Sequence, residues 1–249
     1  MDKFSVDRAS VEKAILRVSN EIRATHSRFN WKQISEDKLW FSLVSCILGS
    51  RIKYEIAKKY SELLMIQHLL HPEGIIKDPT PSESAISNCL NTPTLVNGLG
   101  VIRYPFSRIR ARHIVQSCIS IYSDKTNSLK LILLSASSPE HARKILVNLC
   151  YGIGPKQASL FLRNIDYSSS LAIFDTHIIR FMHLIGLIEQ NVKITSLNQY
   201  ARLEGQLRSY AKSLGQELAI LDYAIWVVMK VISEECAFHG CSIAYVRRN

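Results

Sequence analysis

The residues best placed to do chemistry lie between Cys150 and Phe181, in CYGIGPKQASLFLRNIDYSSSLAIFDTHIIRF. Gly152-Ile153-Gly154 forms a Gly-x-Gly turn, Lys156 follows it at a helix start, and Asp175 stands at the start of the next helix. A glycine turn entering a helix offers backbone N–H groups to an anion, and the helix dipole adds to that attraction. A lysine there can be a phosphate ligand or, held neutral, an amine nucleophile. A cation in the first helical turn runs against ordinary helix design, and partial burial is expected to favour the uncharged amine. Asp175 reads in two compatible ways, as an N-cap and as the carboxylate that activates a nucleophile and stabilises positive charge nearby.

Both roles need an element that fixes the residue's direction. The apolar periodicity is helical almost throughout. Val11, Ile15, Val18 and Ile22 form one stripe; a second helix starts after Ser35 with Glu36 and Asp37 in its first turn. Ile56, Tyr60, Leu63 and Leu64 suggest a third. From His71 to Gly100 the prolines and glycines read as loop. Helices resume over Ile109–Tyr122 and Leu129–Leu134, and Ser138-Pro139-Glu140 opens one that ends at the Gly-x-Gly turn. Gly154-Pro155 opens the next, with Ala158, Phe161, Leu162 and Ile165 inward; Ile178, Phe181, Met182 and Ile185 make another stripe, before 200–214 and 217–232. No strand alternation is evident, so the expected class is all-α.

The two helices around Tyr151–Gly154 then make a helix–hairpin–helix, with Ile153 plugged into the core. Such a hairpin grips a DNA backbone without reading its bases, although a tight turn with no ligand has the same local pattern. The composition agrees with a polyanionic partner. Lysine and arginine number 31 against 21 aspartates and glutamates, a formal charge of +10 with a pI near 9.4. With 47% hydrophobic residues in 249, disordered and fibrous classes are excluded. The run Trp40–Leu48 is nine residues with two serines, too short to cross a bilayer. No membrane partner and no secretory signal are expected. The six cysteines lie far apart and read as reduced core thiols, with the cytoplasm, at the nucleoid, as the expected location. Cys236, His239 and Cys241 lack a fourth ligand, so no metal is expected.

GIGPKQASLFLRNI followed by LAIFDTHIIRFM resembles the helix–hairpin–helix DNA glycosylase superfamily, most closely its archaeal-type 8-oxoguanine DNA glycosylase/AP lyases. The likeness is strong over about 143–186, moderate over 200–230 and weak before 130. It implies two helical subdomains with a DNA-binding cleft between them: 1–50 with 166–249, and 51–165, which carries the hairpin. It also implies Lys156 as nucleophile and Asp175 as its partner, facing each other at the subdomain junction. Asp222 and Trp226 would wall a pocket for a flipped-out base, with Tyr104 or Phe106 stacking. Gly152, Ile153 and Gly154 would bind the DNA backbone, together with Arg103, Arg108 and Arg110 from the strip VIRYPFSRIRAR. The implied function is excision of a modified base, an oxidised purine first, from double-stranded DNA by a monomer without cofactor; the four-cysteine spacing of the superfamily's iron–sulfur members is lacking. Two departures leave the base open: Thr176 stands where arginine is usual, and the chain continues beyond the tryptophan helix. A different, possibly bulky base in foreign DNA, a monofunctional glycosylase and a non-enzymatic DNA-binding module all remain alternatives.

Overall fold

A computed structural model describes residues 7–25, 29–189 and 192–238. In chain order its helices are α1 (Arg8–Thr25), α2 (Glu36–Leu48), α3 (Tyr54–Ile66), α4 (Pro72–Lys77) and α5 (Pro79–Asn91). The strands β1 (Thr94–Val96) and β2 (Gly100–Ile102) follow. Then come α6 (Ser107–Tyr122), α7 (Leu129–Ser135), α8 (Pro139–Leu149), α9 (Pro155–Asn164), α10 (Thr176–Leu184), α11 (Leu197–Ser213) and α12 (Leu218–Phe238).

Local chemistry sets most of these boundaries. Ser35 caps α2 by accepting from Lys38 N–H, and Glu36 and Asp37 complement the dipole in its first turn. Ser138 caps α8 in the same way, with Pro139 at the first helical position, where no N–H is needed. That proline rule also overturns the loop expected over 71–100. Pro72 and Pro79 stand at the starts of α4 and α5, so they begin helices there instead of breaking them. The expectation of no strands is corrected too. β1 and β2 pair antiparallel, with Leu95 opposite Val101, around Asn97-Gly98. Gly98 has φ +75° and Gly100 +77°, backbone that side-chain-bearing residues resist.

The chain divides into two compact units. One joins residues 1–29 to 168–249, and its described core is the packing of α1, α10 and α11 on α12. Ile15, Phe181, Leu207, Leu221 and Ile225 are buried there. The other is Asn30–Tyr167 and holds α2–α9 with the hairpin strands. The boundary falls at 29/30 instead of the expected 50, because α2 buries Leu39, Trp40, Leu43, Val44, Ile47 and Leu48 against α3, α6, α7 and α9. Glu36 ties α2 further into this unit, accepting from Leu129 N–H at 2.6 Å, Lys130 N–H at 3.2 Å and Tyr122 OH at 2.8 Å.

All five described cysteines are buried, and Cys46, Cys89, Cys118 and Cys150 are free thiols. Burial pushes the thiols of Cys46, Cys118 and Cys150 up to about 12, which keeps them protonated and inert. No described helix is long and apolar enough to cross a membrane.

Candidate active site and nucleic-acid interface

In the Asn30–Tyr167 unit the site is built around the turn from α8 to α9. Gly152 has φ +72°, the left-handed conformation the turn requires. Ile153 is buried at 5% exposure, so its side chain anchors the turn from below, as expected. Cys150 N–H closes α8 on Leu146 O at 2.9 Å, and Ala158 N–H opens α9 on Gly154 O at 2.9 Å. Gly154 is the N-cap of α9 and has no side chain to offer, so the first N–H groups of this helix receive no side-chain cap.

Lys156 lies in that first turn. Its neighbours Gln157, Ala158 and Ser159 are buried, and Gln157 Nε2 approaches Gly49 at the end of α2. The apolar stripe of Phe161, Leu162 and Ile165 fixes the helix's rotation, which turns Lys156 outward. The lysine is exposed, correcting the partial burial expected for it, and it makes no ion pair among the described residues.

The arginine strip over 103–112 separates into two populations. Arg103 and Arg108 are exposed, and Phe106, at the N-cap of α6, is 41% exposed. Tyr104 and Arg110 face inward, which corrects their assignment to stacking and backbone gripping. Tyr104 is 1% exposed, donates its OH to Leu48 O at 2.6 Å and meets Tyr60 edge-on. Burial pushes its hydroxyl up to about 12, partly offset by the Arg110 charge. Arg110 is 8% exposed and donates to Ser50 O at 3.0 Å. Helical spacing explains the split, since 103, 106 and 108 precede or open α6 whereas 110 begins its inward face.

In the other unit, Asp175 caps α10. Its Oδ1 accepts from His177 N–H at 2.8 Å and Ile178 N–H at 2.9 Å, while the residue stays half-buried. The extended segment before it is buried and held by polar side chains that sequence reasoning missed. Glu204 Oε1 accepts from Ala172 N–H at 2.7 Å; Tyr200 OH donates to Ala172 O at 2.7 Å and accepts from Phe174 N–H at 3.3 Å. Buried Glu204 and Tyr200 lie on one stripe of α11, spaced i, i+4, which is the signal that could have marked them.

A shallow cleft of about 300 Å³ lined by His68, His71, Asp78 and Ser82 contains none of the predicted site residues. Among the described residues no three histidines, cysteines or carboxylates gather as metal ligands. Of the Cys236, His239 and Cys241 cluster, the last two lie outside the described residues.

Residues 21–216, most of the chain, match the family model described as 8-oxoguanine DNA glycosylase. An 8-oxoguanine DNA glycosylase/AP lyase of Saccharolobus islandicus is 31% identical over 212 residues, covering 84% of this chain and 91% of the relative. One of Saccharolobus solfataricus is 32% identical over 200 residues, 80% and 86%. The chain belongs to the 8-oxoguanine DNA glycosylase family. Solved members share its fold. The Methanocaldococcus jannaschii 8-oxoguanine glycosylase/lyase, in complex with a 15mer DNA containing 8-oxoguanine, superposes with TM-score 0.62 at 24% identity, over 90% of this chain and 91% of that one. The Thermotoga maritima 8-oxoguanine DNA glycosylase does so at 0.60 and 23%, over 90% of each chain. At these identities the likeness is one of fold.

Within the 8-oxoguanine DNA glycosylase family, the resemblance implied a base pocket walled by Asp222 and Trp226. The two diverge here. Asp222 is 1% exposed, and its Oδ2 accepts from Ile173 N–H at 3.3 Å, so it secures the segment that leads to Asp175. Trp226 is half-buried, stacks on Tyr223 with centroids 5.9 Å apart, and carries Lys230 Nζ 5.1 Å from its ring centre. One helical turn separates them; Asp222 is fully enclosed, whereas Trp226 packs on the edge of the same core and stays partly open.

Proposed function

We propose that this protein is a DNA glycosylase and AP lyase that removes a modified base from double-stranded DNA, an oxidised purine first and 8-oxoguanine before others. The observation that carries the reading is the outward Lys156, two residues past Gly154, whose helix start has no side-chain cap, in a chain of this family. The named activity of the Saccharolobus relatives supports the same substrate.

The uncapped N–H groups and the glycine backbone hold a DNA phosphate, and exposed Arg103 and Arg108 add charge to that grip. Phe106 and Trp226, the predicted pocket aromatics with exposed ring surface, are the candidates to fill the gap in the stack and face the flipped base. The Lys156 amine attacks C1′; the C1′–N bond breaks and its electron pair leaves with the base, which takes up a proton. The amine gives up its protons as the sugar ring opens, leaving a Schiff base. Loss of a C2′ proton then expels the 3′ phosphate and nicks the strand. Asp175, its direction set by two backbone N–H groups, supplies negative charge to the cationic sugar and accepts the amine's proton.

The test is a duplex with a single 8-oxoguanine, incubated with borohydride. Wild type should form a covalent adduct and Lys156→Gln none, with DNA binding largely kept. Equal base release by both proteins would refute the lysine's role. Base release by wild type without adduct or nick would instead establish a monofunctional enzyme.

A further inference from the structure

The side of α6 beneath the hairpin is polar where a packed helix is normally apolar. Arg110, His113 and Ser117 are spaced i, i+3, i+7, so they lie on one stripe, and each touches the turn or its support. Ser117 is fully buried; its Oγ accepts from Tyr151 N–H at 2.9 Å and donates to Tyr151 O at 3.5 Å. His113 Nδ1 lies 3.2 Å from Arg110 Nη1, and since a guanidinium can only donate, the imidazole accepts there and carries its proton on Nε2. Gly152 rests on this pair. A Cβ at Gly152 would collide with His113 Nδ1 and come within 2.9 Å of Arg110 Nη1.

Arg110 also reaches the other way. Its Nη2 donates to Ser50 O at 3.0 Å, just past the end of α2, and its charge lies beside the Tyr104 hydroxyl. Among the described residues it makes no ion pair with a carboxylate, and its buried Nε has no hydrogen-bond partner. A buried guanidinium held only by a carbonyl, an imidazole and a hydroxyl is an expensive way to stabilise a fold, because an apolar residue would fill the space at less desolvation cost. What it does supply is direction. Three segments meet on it: the turn after α2, the start of α6 and the glycine turn before Lys156.

We infer that Arg110, His113 and Ser117 form a polar shelf that sets the hairpin backbone, and that Arg110 and His113 are positioning residues for the lysine chemistry. The inference rests on the glycosylase reading for its last step only. The shelf acts through Gly152 on the origin of α9, two residues before the amine, where a displacement of an ångström is enough to spoil attack on C1′.

The experiment compares His113→Ala with His113→Asn in the full chain, because asparagine Oδ1 stands close to the imidazole Nδ1 position and can accept from Arg110. Amide hydrogen exchange at 151–154 is measured first. His113→Ala should speed it about tenfold or more while protection elsewhere in the unit is kept, and His113→Asn should restore it. Single-turnover base release at saturating protein should fall about tenfold or more in His113→Ala and recover in His113→Asn, a loss that lowered stability alone does not produce below the melting temperature. Arg110→Met should act like His113→Ala; if it fails to fold, the two His113 variants still decide. Unchanged exchange in His113→Ala, or equal impairment of both variants, would overturn the shelf. If wild type releases no base the glycosylase reading fails, whereas the exchange result still judges the shelf.

Discussion

Asp175 shows how one side chain can serve fold and chemistry together, and how to separate them. Its carboxylate caps α10 through two backbone N–H groups. Asparagine caps about as well as aspartate, so Asp175→Asn should change unfolding free energy by less than about 0.5 kcal/mol, and Asp175→Ala should cost about 1 kcal/mol. Base release should nonetheless fall about 100-fold or more in both, since both lose the charge. Denaturant titration read beside single-turnover kinetics checks this, and an active Asp175→Asn would reduce the residue to a cap. His113 is the second informative residue. Burial, then the Arg110 and Arg112 charges facing it, holds its imidazole below the ordinary 6.5. The unfolded chain therefore binds the proton first as pH falls. The stabilisation is complete above pH 6.5 and declines as pH drops toward the lower folded value. Unfolding midpoints measured from about pH 8 to 5 should fall more steeply for wild type than for His113→Asn; parallel curves would contradict this assignment.

Among the elements, the hairpin between α8 and α9 depends on burial as much as on glycine. Ile153 is the apolar plug under the turn. Ile153→Ala should cost about 3 kcal/mol and weaken binding even to undamaged duplex, because the turn loses its anchor. Calorimetry and a fluorescence titration would measure the two effects, and retained affinity would show that the plug serves stability alone. The elements the sequence misjudged were hidden for two different reasons. Pro72 and Pro79 were read as breakers, yet a missing N–H costs nothing at the start of a helix. The β1–β2 hairpin was overlooked because three residues per strand are too few for alternation to register, although Asn97-Gly98 is a strong turn signal.

For the molecule as a whole, charge and division into units matter most. An excess of ten positive charges should make duplex binding strongly salt-dependent. Each phosphate contact contributes about 0.9 to the slope of log K against log salt. Arg103→Ala and Arg108→Ala should each lower that slope by about this amount, whereas Arg112, exposed but paired with Glu83 at 3.5 Å, should contribute less. Slopes unchanged from wild type in both variants would show that the strip is not in the DNA footprint. The chain's route through its two units has a further consequence: Lys156 and Asp175, nineteen positions apart in sequence, belong to different units. Segments on either side of the 167/168 boundary therefore belong to separate cores.

What sequence alone determined is local in origin. Caps, prolines at helix starts, the Gly-x-Gly turn and the 3.6-residue stripes act within a few residues, so α1–α3 and α6–α12 were legible, as were Lys156 in the first turn of α9, Asp175 as the cap of α10 and Ile153 beneath the turn. What only the tertiary structure decided is which polar side chains face solvent and which face backbone. Tyr104, Arg110 and Asp222 looked like ligands of DNA because their types and spacing permit it. Each hydrogen-bonds a main-chain group brought near by packing: Leu48 O, Ser50 O and Ile173 N–H. Those partners lie from 49 to 60 residues away in the chain, beyond the reach of any local pattern, and a buried polar group takes whichever partner the fold supplies.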